Sequence, residues 1–279
     1  MNDLVAFATL VQALDPWRAH LIFIGGWAHR VHRLDPRANL LDYQAVFTKD
    51  SDLAFANQAP LEGDIRAALI GRGFKEELAG EFRPPAAHYA LGDKASGFYA
   101  EFLTPLAGSG YKRSGEPDAT MAAAGISAQK IRHLDILLVD PWVIAVGPDH
   151  AIPLPASVDI RVVNPLCFMV QKFLIQKDRS AGKRAQDLLY IHDTLQAFAN
   201  LLPEFNASWH RTVKPQLEQY GGHAKLVQRA ADEAFAMIDD TIRTAVRIPQ
   251  DRSIDPEEFR LTCQISFERI FESPLRCRP

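Results

Sequence analysis

Cysteine is scarce in this sequence, which contains three in 279 residues. Cys167, Cys263 and Cys277 are odd in number, widely spaced and without a CxxC pair, so they argue against a disulfide framework and against a zinc site. A large excess of charge is also absent, because the formal net charge is −3. The bulk charge therefore gives no reason to expect passive binding to nucleic acid, although it leaves room for a local basic patch.

Membrane and kinase signatures are missing as well. The first residues, MNDLVAFATLVQALDPW, lack a basic lead and are too short and amphipathic for a signal peptide or a membrane span. Together with the expectation of reduced thiols, this predicts a cytoplasmic protein with no membrane partner. Neither the phosphate-loop pattern GxxxxGK[ST] nor the protein-kinase motif set occurs, which disfavours a kinase-like phosphotransferase.

The composition supplies enough apolar material for a globular core. Hydrophobic residues make up 47% of the chain and charged residues 23%, which fits one large domain or two modest ones. Short strand-like runs alternate with helical patterns over residues 1–160. Helical patterns dominate residues 161–279, where Asn164 and Pro165 are typical of a helix start. We therefore predict the α+β class, with a mixed sheet flanked by helices followed by a helical C-terminal domain.

Local patterns predict the elements of the first domain. HLIFIGGWAHRVHRL indicates a strand, a tight turn and a helix, and AVFTKDSDLAFA indicates a second strand. HYALGDKASGFYAEFLTPL indicates a hairpin with a Gly/Asp/Lys turn. The remaining predictions are helices over 3–14 and 61–72, a loop over 104–128, and further strands within LDILLVDPWVIAVG and IPLPASVDIRVV.

Two aspartates stand one residue apart in TKDSDLAF. Residues two apart on a strand share a face, so Thr48, Asp50, Asp52 and Ala54 share one face, and Phe47, Leu53 and Phe55 share the other. Like charges this close repel unless a cation lies between them. A divalent metal ion accounts for the pair, and a solvated surface turn is the alternative.

Two further features bear on that pair. Gly25 and Gly26, between a strand and a helix, would let backbone approach a ligand and would place helix N–H groups near phosphate. Alternation in FYAEFLTPL puts Tyr99, Glu101 and Leu103 on one face and Ala100 and Phe102 on the other. An acid within an apolar strand needs a partner, which a metal ion or a salt bridge would supply. Asp135 is a rival third carboxylate, and the sequence leaves open whether His88 and Tyr89 line the same cleft.

This combination resembles the polymerase-beta-type nucleotidyltransferase superfamily, in which Gly followed by Gly or Ser, then DxD, then a third acid, form the active site. The resemblance covers about residues 20–195. It implies that Asp50, Asp52 and Glu101 are catalytic and hold two metal ions, Mg²⁺ or Mn²⁺. It also implies a nucleoside triphosphate as donor, with Gly25, Gly26 and Thr48 as nucleotide-binding residues.

A second resemblance, in KFLIQKDRSAGKRAQDL, is to the abortive-infection toxin-like members of that superfamily. The matching residues are Lys172, Arg179, Lys183 and Asp187, which the resemblance assigns to nucleotide binding, and Arg184 stands where those members have an acid. In a continuous helix their spacing would place all four on one face. Gly182 weakens that continuity.

The resemblance implies an enzyme that transfers a nucleoside monophosphate to a hydroxyl group. The sequence leaves the acceptor open among a tRNA, a protein and a small molecule of the antibiotic type, and a toxin would have an antitoxin partner. A non-catalytic nucleotide-binding or regulatory protein that retains the fold is the alternative.

Overall fold

The computed structural model describes residues 2–46, 48–56, 61–79, 85–92, 97–219 and 221–273. Phe47, the predicted turn residues Asp93 and Lys94, and Cys277 lie outside the described residues. The chain divides into two compact units. Unit 1 comprises residues 1–35 and 47–163, and unit 2 comprises residues 36–46 and 164–279.

The described residues of unit 1 form a nine-stranded mixed sheet. The strands are β1 (Leu21–Ile24), β2 (Asp50–Phe55), β3 (Lys75–Ala79), β4 (Ala86–Leu91), β5 (Phe98–Pro105), β6 (Thr120–Ala123), β7 (Ile126–Ile131), β8 (Trp142–Val146) and β9 (Val158–Val162). Neighbouring strands follow the order β3-β4-β5-β2-β1-β9-β8, and β7 pairs with β5 and β6. β2 runs antiparallel to β1 and parallel to β5, which confirms the predicted mixed sheet.

An aromatic stack packs the helices of unit 1 on this sheet. The helices are α1 (Asp3–Ala13), α2 (Gly25–His32) and α3 (Ile65–Gly71). Phe7 of α1 stacks on Trp27 of α2 with ring centroids 4.3 Å apart, and Trp27 meets Phe98 of β5 edge-on at 5.6 Å. Buried aromatic rings contribute both apolar area and preferred geometry, so this stack fixes where α2 lies on the sheet.

His32 ties the end of α2 to the chain that follows β9. Its Nε2 lies 2.7 Å from the carbonyl oxygen of Val163, and burial lowers the pKa of the imidazole to about 4. The ring is therefore neutral at pH 7 and donates Nε2–H to that carbonyl. His32 acts here as a core residue that holds α2 in place.

Two predictions for unit 1 are wrong in part. The segment predicted as a loop over 104–128 contains β6 and the start of β7, joined through Ala124 and Gly125, whose φ angles are 47° and 78°. Two consecutive positive φ values form the tight turn that suits the twist of paired strands. Asp135–Leu138 is a 3₁₀ helix and not a strand, because a short apolar run does not distinguish helix from strand.

Unit 2 is helical, as predicted. Asn164 caps the first helix by accepting a hydrogen bond from the Leu166 N–H at 2.9 Å, and Pro165 occupies the first turn. No described helix is long and apolar enough to cross a membrane. The α-helices are α4 (Pro165–Ile175), α5 (Ala181–Ala197), α6 (Leu202–Ser208), α7 (Lys214–Glu218), α8 (His223–Ala234), α9 (Asp240–Ala245) and α10 (Pro256–Phe271), and a π-helix (Trp209–Val213) links α6 to α7.

Residues 36–46, which we call the strap, belong to unit 2 although they precede β2 in the chain. The Asn39 N–H donates to the Ala197 carbonyl at 2.7 Å. The Tyr43 hydroxyl donates to Gln196 Oε1 at 2.5 Å, and the Arg252 guanidinium lies 3.3 Å from the centroid of the Tyr43 ring. The strap is therefore anchored to α5 and to the segment before α10 by backbone and side-chain contacts.

Candidate active site

The strand register of unit 1 brings the three predicted acids to neighbouring positions. In the parallel β2–β5 pair, Asp50 is opposite Tyr99 and Asp52 is opposite Glu101. Directly opposed residues project from the same face of a sheet. Asp50, Asp52 and Glu101 therefore share one face, as the sequence predicted.

Burial along both strands supports this assignment of faces. On β2, Ser51 and Leu53 are buried while Asp50 and Asp52 are half-buried. On β5, residues 98, 100 and 102 are buried while Tyr99 and Glu101 are half-buried. The core lies under one face, and the acids emerge on the other.

Gly25 makes room for one of the carboxylates. Its φ is +68°, and a Cβ built on it would overlap Oδ2 of Asp52. Since only glycine combines a positive φ with no side chain, the Asp52 carboxylate lies directly against this backbone. Gly26 follows in the first turn of α2, where backbone N–H groups carry partial positive charge.

Thr48 lies beside the first aspartate. Its hydroxyl contacts the Asp50 carboxylate at Oδ1 and lies 3.2 Å from the Asp50 carbonyl oxygen. Thr48 therefore belongs to the same cluster as Asp50.

Burial and the charges of this cluster shift the pKa values of two groups. Burial, and then the charge of Asp50, raise the pKa of Glu101, while His88 opposes them. Burial raises the pKa of Tyr99, and Asp50, Glu101 and Asp52 add to the increase. Because all three carboxylates act on the Tyr99 phenol, their negative charge is concentrated at one place.

The side chains of the three acids do not form a ready metal site. Among the described residues, no three His, Cys, Asp or Glu side chains stand as a ready ligand set. Each acid instead contacts another group: Asp52 lies on Gly25, Asp50 on Thr48, and Glu101 faces His88.

The donor chemistry fits a hard divalent cation, which prefers carboxylate oxygens. Burial, and to a smaller extent the charge of Asp50, disfavours ionised Glu101, and such an ion would offset both effects. The three acids therefore fit Mg²⁺ or Mn²⁺ in donor type and in backbone position, and ligation requires the carboxylates of Asp50 and Asp52 to turn from Thr48 and Gly25.

Two neighbouring residues that the sequence left open fall on opposite faces of β4. His88 is opposite Glu101, with Nδ1 3.6 Å from Oε1. Tyr89 is buried on the other face, and its hydroxyl donates to Glu76 at 3.0 Å. The rival acid, Asp135, begins the 3₁₀ helix and does not belong to a strand.

Unit 2 contains the four residues of the second resemblance, and they do not lie on one helix. We call this set the basic motif; it consists of Lys172, Arg179, Lys183 and Asp187. α4 ends at Ile175 and α5 begins at Ala181, with extended backbone at Arg179 and Ser180 between them. The helix is therefore not continuous, and the condition under which the four residues would share one face is not met. The break instead lets Asp187 of α5 pair with Lys172 of α4 at 2.9 Å and with Arg179 at 3.0 Å.

These four residues differ in exposure. The Lys172 side chain is 6% exposed and its Nζ lies 4.9 Å from the centroid of the Phe168 ring. Arg179 is about one-third exposed, and Lys183 is exposed at the start of α5. Lys172 and Asp187 have the environment of a structural ion pair, and the nucleotide-binding role of all four stays a prediction.

An open cleft of about 580 Å³ lies in unit 2. Asn200, Pro203, Asn206, Arg269 and Glu272 line it, with three others. None of the predicted site residues is among them, so the cleft has no acid pair, glycine turn or basic motif to support the predicted chemistry.

Comparison with known proteins agrees with the geometry of unit 1. A family model described as a nucleotidyltransferase matches residues 2–214, which include every predicted site residue. No curated protein matches the chain.

Proposed function

Because the chain belongs to this nucleotidyltransferase family, we propose that it transfers a nucleoside monophosphate from a nucleoside triphosphate to a hydroxyl group. The site for this transfer is the face of β2 and β5 that carries Asp50, Asp52 and Glu101. The observation that carries the proposal is the register in which Asp52 lies opposite Glu101 and against the backbone of Gly25.

Different groups of unit 1 are suited to binding phosphate and to binding a metal ion. The N–H groups at the start of α2, from Gly25 and Gly26 onward, are suited to phosphate oxygens. Asp50, Asp52 and Glu101 would hold Mg²⁺ or Mn²⁺. When bound, such an ion neutralises phosphate charge and lowers the pKa of a hydroxyl group.

Glu101 is suited to the proton transfer. It lies opposite Asp52 on the face that carries the acids, and a general base must lie within hydrogen-bond reach of the proton that it takes. In the proposed reaction Glu101 takes the proton of the acceptor hydroxyl, whose oxygen forms a bond to the α-phosphorus. The bond from that phosphorus to the bridging oxygen breaks, and pyrophosphate leaves.

Variants of the aspartates test this assignment. We expect Asp50→Asn with Asp52→Asn to lower nucleotide transfer by about 10³-fold or more, since metal assistance contributes several kcal/mol. Asp232→Asn, at an exposed position on α8, is the matched control and should leave transfer unchanged. The substrates are each labelled triphosphate with total cellular RNA and with a lysate of cellular protein.

Calorimetry with Mg²⁺ and a nucleoside triphosphate separates the enzyme from its alternative. A protein that binds both and transfers nothing to any acceptor would be the non-catalytic form. If the double variant keeps both binding and transfer, the assignment of the site fails.

The acceptor and the biological role extend the same proposal. The spacing of Lys172, Arg179, Lys183 and Asp187 resembles the toxin-like members, which favours a macromolecular acceptor such as a tRNA or a protein, with an antitoxin as partner. A small-molecule acceptor is the competing outcome. The labelled-acceptor experiment distinguishes them by whether the label is found in RNA, in protein or in neither.

A further inference from the structure

His88 lies in a row of polar residues that crosses four strands. Glu77 of β3 is opposite His88, His88 of β4 is opposite Glu101, and Glu101 of β5 is opposite Asp52 of β2. Because directly opposed residues share a face, all four belong to the face that carries the acids. The candidate site therefore extends beyond the predicted residues toward β3.

The contacts of His88 point toward Glu101. Its Nδ1 lies 3.6 Å from Glu101 Oε1, and the two side chains are 30% and 24% exposed. The imidazole is nearly parallel to the Tyr99 ring, at 11° with centroids 6.4 Å apart. Tyr99 is itself opposite Asp50. The rings of His88 and Tyr99 therefore lie beside two proposed metal ligands, Glu101 and Asp50.

This placement is not explained by packing of the core. The apolar face of β4 is supplied by Ala87, Tyr89 and Leu91, which are buried. His88 lies on the opposite face and is partly open to solvent. A side chain in that position contributes little to the core, and its imidazole lies within salt-bridge distance of the Glu101 carboxylate.

We propose that His88 is a positioning residue that holds the Glu101 carboxylate in the orientation needed for metal binding and for contact with the acceptor hydroxyl. A carboxylate ligand commonly depends on a hydrogen-bonding neighbour that fixes its orientation. Tyr99 keeps the imidazole in place through ring contact. This inference rests on the proposed function, because it gives His88 a role only if Glu101 serves the reaction.

The test uses two substitutions of the full-length protein and Mn²⁺ as the probe. His88→Asn keeps an N–H donor near the position of Nδ1, and His88→Leu removes it. Binding of Mn²⁺ is measured by electron paramagnetic resonance without nucleotide, and the melting temperature is measured in parallel. We expect His88→Leu to weaken Mn²⁺ binding about tenfold with an unchanged melting temperature, and His88→Asn to restore most of the affinity.

Three outcomes would overturn the inference. The first is a His88→Leu variant that binds Mn²⁺ as tightly as the unsubstituted protein. The second is equal loss of Mn²⁺ binding in both variants together with a lower melting temperature, which indicates a structural role. The third is an unsubstituted protein that binds no Mn²⁺, which contradicts the proposed function as well.

Discussion

Glu101 of the candidate site and two buried acids of unit 2 have different kinds of partner. In unit 2, Asp187 lies 2.9 Å from Lys172 and 3.0 Å from Arg179, and Asp193 lies 2.6 Å from Arg252. In unit 1, Glu101 faces a histidine at 3.6 Å, and the nearby charge of Asp50 helps to raise its pKa. Lys and Arg side chains neutralise Asp187 and Asp193, whereas burial, and to a smaller extent the charge of Asp50, disfavours the ionised form of Glu101.

This difference separates stabilising acids from candidate catalytic ones. Removing the cation from a buried ion pair leaves the acid charged and without a partner, and the folded state then loses much of its stability. An arrangement of like charges lowers stability, so its presence is expected where function requires it. The comparison therefore identifies the candidate site of unit 1 as the place where binding of a cation would stabilise the folded protein most.

The largest expected effect comes from breaking a pair in unit 2. Asp193 is fully buried, and Arg252 contacts both of its carboxylate oxygens, at 2.6 and 2.7 Å. Arg252→Met leaves this carboxylate without its cation, and we expect the free energy of unfolding to fall by about 3–5 kcal/mol. Urea denaturation measures the change.

An exposed pair is the control for that prediction. Arg229 and Glu233 are 3.7 Å apart on α8 and mostly exposed, so Arg229→Met should change stability little. Equal effects of the two substitutions would mean that burial does not distinguish the pairs, and the contrast between structural and catalytic acids would lose its basis.

The alternation along β2 and β5 could be predicted because strand periodicity is a local property. It identified the face of Asp50, Asp52 and Glu101, and the glycine turn identified the position of Gly25. Asn164 likewise carried enough local information to predict the start of α4. Each of these features depends on residues that lie close together in the sequence.

The charge pairs of unit 2 could not be predicted in the same way. Asp193 and Arg252 are 59 residues apart in sequence, and the strap joins unit 2 from a position between two elements of unit 1. Periodicity does not report such long-range pairing. The sequence placed the doubt about helix continuity at Gly182, which lies inside α5, whereas the break falls at Arg179 and Ser180.

A second, smaller effect concerns a buried group that unit 1 keeps neutral. Burial lowers the pKa of His32 to about 4 from 6.5, so between these pH values the unfolded chain binds a proton that the folded protein does not. Stability is therefore complete above pH 6.5 and decreases as the pH falls toward 4. The loss reaches about 3 kcal/mol.

Urea denaturation at pH 7 and at pH 4.5 measures this dependence. His32→Gln keeps a side-chain donor for the Val163 carbonyl without a group that titrates in this range. We expect the variant to lose less stability on acidification than the unsubstituted protein. Parallel pH dependence in the two proteins would show that His32 does not titrate as its burial requires.

The smallest effect has the opposite sign and lies in the candidate site itself. Because burial and the charge of Asp50 raise the pKa of Glu101, ionised Glu101 costs the folded state stability at neutral pH. Glu101→Gln removes that charge and should raise the free energy of unfolding by about 0.5–1 kcal/mol, while transfer is lost. Glu233→Gln, at an exposed position, should change neither.

Adding Mn²⁺ should raise the melting temperature of the unsubstituted protein more than that of Glu101→Gln, because a ligand stabilises the form that binds it. A Glu101→Gln variant that is less stable than the unsubstituted protein would place Glu101 with the structural acids of unit 2.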